Sequence, residues 1–193
     1  MNWSVYIVAA LLASALDAGL GGLFQIGAVR AEILPSIVVF MALSAPKKLV
    51  LRGALFAGLI ADLFGPVILA DGSPLVVLGP RVLAYALGAA AVIPLRGLLY
   101  RQNPLSNSAA VTIFSSFAAL AWIVVSILRS VVTGGAVPWW PATGTSEVVV
   151  QCLGALGDGV LALPVFWVLT RTKPIWGFET KTRLTPGVAR EGL

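Results

Sequence analysis

The sequence contains no histidine and a single cysteine, Cys152, and only 11% of its 193 residues are charged. The missing histidine removes the commonest general base and the commonest metal ligand together. One cysteine excludes an internal disulfide. Soluble domains carry about 25% charged residues, so the scarcity of charge excludes an ordinary soluble domain. No nucleophile stands beside a base, no residues are spaced as a metal-ligand cluster, and no glycine-rich loop runs into a lysine. Neither catalysis nor a cofactor nor a metal is therefore expected.

What the chain does have is apolar sequence. Its hydrophobic content is 59% and its mean hydropathy +0.96, which points to an integral membrane protein. Six apolar runs are readable, at about Trp3–Phe24, Ile33–Ala45, Leu49–Ala70, Leu75–Leu95, Ala109–Val132 and Val148–Thr170. The expected fold is an all-α polytopic bundle of six transmembrane helices, with five as the alternative if the first run is cleaved or short. The second run is the anomaly. Thirteen residues rise only about 20 Å as a helix, against a hydrocarbon core of roughly 30 Å. Either the helix starts nearer Ala28 or it crosses only in part. Residues 1–170 form the membrane domain, and residues 171–193 a basic cytoplasmic tail too short to bury a core of its own.

The net charge of +5 follows topology and does not suggest nucleic acid. With six spans, Lys47, Lys48, Arg52, Arg96, Arg101, Arg171, Lys173, Lys181, Arg183 and Arg190 share one side, and only Arg30 and Arg129 lie on the other. That bias assigns the basic side, and both termini, to the cytoplasm. Trp139 and Trp140, between Pro138 and Pro141, fit an interfacial belt, and Trp176 is expected at the interface too.

Four charges fall inside spans: Asp17, Asp62, Arg81 and Asp158. Charges at such depth face protein or a wet cavity. Asp62 lies nine residues before the turn at Asp71–Pro74 and Arg81 seven after it, so the two sit at similar depth. The favoured reading is an internal ion pair between them; a partner contact or an ion path is the sharper one. Ala54, Gly58 and Asp62 share one helix face, where small residues permit close approach of another helix, within the chain or from a partner. Gly154 and Asp158 repeat the Gly58–Asp62 spacing, an echo that would suit an inverted repeat. Ala54, Gly58, Asp62, Arg81, Gly154 and Asp158 are thus the candidate partner-binding or structural residues.

Glu32-Ile33-Leu34-Pro35, then Gly58-Leu59-Ile60-Ala61-Asp62-Leu63-Phe64-Gly65, Leu78-Gly79 and Leu83-Ala84-Tyr85, together resemble the MreD family of rod shape-determining membrane proteins. The resemblance spans about Ile33 to Gly88, and Pro80-Arg81 departs from it. It implies a non-enzymatic scaffold of the cell-elongation complex that binds an MreC-like bitopic protein. The wider context it implies is RodA, a class B penicillin-binding protein and MreB, acting in peptidoglycan synthesis and cell shape. It also implies a fold similar to the substrate-binding subunits of energy-coupling-factor transporters. The alternative is therefore a small-solute, vitamin-type binding subunit. Such a subunit needs a polar pocket near the outer face, where the loops offer few anchors beyond Asp71, Thr143, Thr145, Ser146 and Glu147.

Overall fold

The computed structural model describes residues 1–27, 29–65, 67–68, 74–75, 77–97, 103–133 and 144–178. Its helices are α1 (Trp3–Leu20), α2 (Leu34–Ser44), α3 (Lys47–Phe64), α4 (Pro80–Leu95), α5 (Pro104–Thr133) and α6 (Gly144–Thr172). Two antiparallel pairs of two-residue strands interrupt the otherwise helical chain. β1 (Gln25–Ile26) pairs with β2 (Val29–Arg30) between α1 and α2, and β3 (Val67–Ile68) with β4 (Pro74–Leu75) between α3 and α4. The tryptophan pair at 139–140, the acid at Asp71, Arg101 and the tail from residue 179 lie outside the described residues.

Three apolar segments are long enough to cross a membrane: Trp3–Leu23, Pro104–Val132 and Ser146–Trp176. The remaining helices depart from the simple six-span expectation, each for a readable reason. α3 opens on Lys47-Lys48 and also carries Arg52 and Asp62. α4 has 16 residues, about 24 Å of rise, and α2 has 11, about 16 Å. As a helix, the second apolar run is therefore shorter than the roughly 30 Å hydrocarbon core. Pro35 sits in the first turn of α2, where its missing N–H costs nothing, and Pro46 starts α3 one residue after Ala45.

The short helix α2 is the centre of the molecule. Every residue from Leu34 to Leu43 is buried, and α2 touches each of the five other helices. A helix apolar on all sides needs protein around it, and here it has that. By contrast, the outward faces of the longer helices are apolar and exposed, as at Leu12, Val124, Leu128, Val160 and Trp167.

Small residues set the tightest approaches. A Cβ on Gly88 would stand 2.9 Å from the Phe114 carbonyl oxygen, so α4 and α5 meet there backbone to backbone. The Ser108 hydroxyl donates to the Gly159 carbonyl at 2.6 Å and ties α5 to α6.

At the end bearing Lys47 and Arg171, a 3-10 turn over Lys173–Trp176 folds back across the bundle. Trp176, expected at the interface, is covered by protein and only 2% exposed. Its ring lies 5.1 Å from Phe40 and stacks on Phe178, and its indole N–H donates to Thr172 Oγ1. The Trp176 carbonyl accepts the Asn2 N–H at 2.8 Å, which ties the start of α1 to the end of α6.

Candidate functional site

The opposite end of α2 presents a problem in elementary chemistry. The first N–H groups of a helix have no partner within it. Where no water reaches, each unsatisfied group costs several kcal/mol. Both α2 and α4 begin on buried residues, Leu34 and Pro80, and three carboxylates meet the need.

Asp17, from α1, accepts the Ile33 N–H at 2.8 Å on one oxygen and the Leu34 N–H at 3.1 Å on the other. Asp158, from α6, accepts the adjacent Glu32 N–H at 2.6 Å. Its second oxygen accepts the Ser115 hydroxyl of α5, also at 2.6 Å. Asp62, from α3, accepts the Gly79 N–H at 2.7 Å and the Arg81 N–H at 3.1 Å. Pro80 lies between those two donors and has no N–H of its own. Gly79 holds φ at +119°, a conformation that admits glycine readily and other residues poorly. The Pro80-Arg81 step, which departs from the resemblance, thus has a local reason: with Gly79 it turns the chain so that one carboxylate straddles the proline. Charge-assisted bonds of this kind, at the positive end of a helix dipole, are the strong ones.

All three acids are buried: Asp17 is 9% exposed, Asp62 4% and Asp158 7%. Each has a small residue one turn earlier, at Ala13, Gly58 and Gly154. A Cβ on Gly58 would lie 2.5 Å from Val82 Cα and 2.6 Å from the Arg81 carbonyl oxygen, and one on Gly154 would lie 3.2 Å from the Arg30 carbonyl oxygen. The Gly-x-x-x-Asp pattern therefore has one physical meaning in both places. The glycine lets a neighbouring segment come close, and the aspartate takes its N–H groups. Ala54, fully buried, continues the Gly58 face toward the basic end. At Gly58 that face is covered by the first turn of α4, which closes this point as a docking surface for another protein.

The expected ion pair of Asp62 with Arg81 takes a different form. The Arg81 guanidinium lies 3.5 Å from Glu32 Oε1 and 3.5 Å from the Ala61 carbonyl. Tyr85 donates its hydroxyl to Glu32 Oε2 at 3.5 Å. Arg30 reaches back to the Asp17 carbonyl. The site thus includes Arg30, Glu32, Tyr85 and Ser115, which sequence reasoning did not place there. The available signal was the shortness of the second apolar run. A helix too short to span starts inside, so the charges just before it lie inside as well.

Beside this cluster is a cavity of about 200 Å³ lined by Arg30, Glu32, Arg81, Tyr85, Trp122 and Gln151, among others. A smaller recess of about 40 Å³ shares Arg30, Glu32 and Arg81 and extends to Ser14 and Asp17.

Together these features define a helical protein with three membrane-length apolar segments and a buried polar cluster at the starts of two short helices. No family model matches the sequence, and no curated protein or solved structure is significantly similar to it.

Proposed function

We propose that this chain is a non-enzymatic multi-pass scaffold of the bacterial cell-elongation machinery, of the MreD kind, working with an MreC-like bitopic partner in peptidoglycan synthesis and cell shape. The observation that supports this reading is a convergence. The stretches that carry the resemblance are scattered over residues 32–85, yet Glu32, Gly58, Asp62, Gly79 and Tyr85 gather around the starts of α2 and α4. They behave as one structural unit. A second support is that Asp17, Asp62 and Asp158 each have both carboxylate oxygens engaged in holding the fold together. Fixed helices suit a scaffold better than an ion path, which needs acids free to exchange their load.

Because Gly58 is covered by α4, the partner surface in this reading is one of the exposed apolar helix faces. The test is affinity purification of the tagged full chain from its native membranes, with identification of what accompanies it. Recovery of a bitopic protein with a periplasmic domain, together with a cell-wall synthase, is the expected result. Recovery of an ATPase module would instead establish the second reading, a solute-binding subunit of a transporter. The polar cavity beside Glu32 and Arg81 favours that second reading.

A further inference from the structure

The hydrogen bonds at the helix starts fall into two groups. Those made by the aspartates lie between 2.6 and 3.1 Å. Those joining Glu32, Arg81, Tyr85 and Ala61 are all at 3.5 Å, the outer limit for such contacts. Arg81 has five N–H donors, and among the described residues only its Nη1 is engaged through the side chain. Arg30 uses one terminal nitrogen on the Asp17 carbonyl. Among the described residues, the Glu32 side chain makes no hydrogen bond or ion pair shorter than 3.5 Å.

Glu32 and Arg81 thus carry the loosely held charge of the cluster, and Arg30, held close to Asp17 through one nitrogen, adds a second guanidinium beside them. All three line the cavity of about 200 Å³, together with Trp122 and Gln151. For scale, an apolar cavity of about 150 Å³ admits benzene. An independent observation points the same way. The adjoining recess is lined in part by Ser14, which is 3% exposed and whose hydroxyl has no hydrogen-bond partner among the described residues.

We propose that this cavity binds a small zwitterion, its phosphate or carboxylate on the guanidiniums of Arg81 and Arg30 and its ammonium on Glu32. Charge-assisted bonds on both sides would satisfy Glu32 and Arg81, which the fold leaves at long range, and would add to the one side-chain bond that Arg30 makes among the described residues. The aromatic walls would cover the linking carbons. The site deepens the solute-binding reading and does not depend on the scaffold reading. The same chemistry has two sources, a phosphoethanolamine lipid headgroup and a free zwitterion in water.

The experiment uses the purified full chain in two arms. In one, the protein is reconstituted in bilayers of phosphatidylethanolamine or of phosphatidylcholine, which differ in the ammonium offered to Glu32. In the other, delipidated protein in detergent is titrated with free phosphoethanolamine. The readout in both is the thermal unfolding midpoint, with native mass spectrometry for retained adducts. Two variants accompany the native chain: Glu32→Gln removes the carboxylate charge, and Ala119→Leu fills the cavity wall without touching a charged group.

A higher midpoint and a retained adduct in phosphatidylethanolamine alone mean a lipid headgroup site. A saturable rise with free phosphoethanolamine means a solute site. In either case both variants should weaken the effect roughly tenfold or more. No response in either arm, or a response that survives Ala119→Leu, overturns the proposal. Because no partner protein or ATPase module is needed, the result is independent of what co-purifies from membranes.

Discussion

Asp62 and Arg81 meet through the arginine's backbone N–H and not as a salt bridge. Asp62 Oδ1 accepts the Arg81 N–H at 3.1 Å, while the guanidinium lies 3.5 Å from Glu32. The aspartate is therefore a helix anchor, and the arginine's charge belongs to another partner.

That separation sets a double-mutant test. Asp62→Asn should cost about 1–3 kcal/mol through the loss of charge assistance to two N–H groups. Arg81→Gln keeps the backbone donor, so its effect should add to that of Asp62→Asn within about 0.5 kcal/mol. Glu32→Gln and Arg81→Gln should couple by about 1 kcal/mol, since their side chains are 26% and 31% exposed and partly screened. Chemical unfolding in detergent measures both cycles. Strong coupling of Asp62 with Arg81 would restore the ion pair.

Gly58→Leu should destabilise the fold itself. The added Cβ alone would meet backbone atoms of Val82 and Arg81 at 2.5 and 2.6 Å, and backbone cannot rotate away. An overpacking cost of about 1–3 kcal/mol or more is expected. A lower unfolding midpoint of the isolated protein is the check. A variant of native stability would mean that α4 does not sit on this face.

Gly79→Ala should cost about 1–3 kcal/mol, because φ of +119° strains any residue with a Cβ. Gly97→Ala is the matched control. Nothing lies within 4 Å of its added Cβ, so it should change stability little. Equal unfolding midpoints for the two variants would contradict the geometry at the start of α4.

Trp176→Ala should cost about 3–5 kcal/mol. The ring packs edge-on to Phe40 of the central helix, and the residue's carbonyl holds Asn2. If Trp176 lay at a lipid interface, the loss would be small. Tryptophan fluorescence and the unfolding midpoint together decide between these outcomes.

The long helices were legible from composition, because α5 and α6 are unbroken apolar runs with few charges. The charged residues were also legible as exceptions. Their partners were not, for a physical reason. Asp17, Asp62 and Asp158 bind backbone N–H groups, and every residue except proline offers one, so side-chain identity leaves no trace of the pairing. Glu32 was hidden differently. Four residues after Ala28 and three before Pro35, it reads as a loop charge until the helix that follows is recognised as too short to span. Trp176 was misplaced because tryptophan beside lysine and arginine suits an interface as well as a buried cap. What distinguishes the two is the fold-back of a four-residue turn onto Phe40, a tertiary contact that local sequence does not specify.

The most direct test of the anchoring role is hydrogen–deuterium exchange of the full chain in bilayers, comparing the native protein with Asp62→Leu and Asp17→Leu. Asp62→Leu should speed exchange at Gly79 and Arg81 and leave Ile33 and Leu34 protected, and Asp17→Leu should do the reverse. Protection at both helix starts that is indifferent to either substitution would contradict the claim that these carboxylates hold α2 and α4 in place.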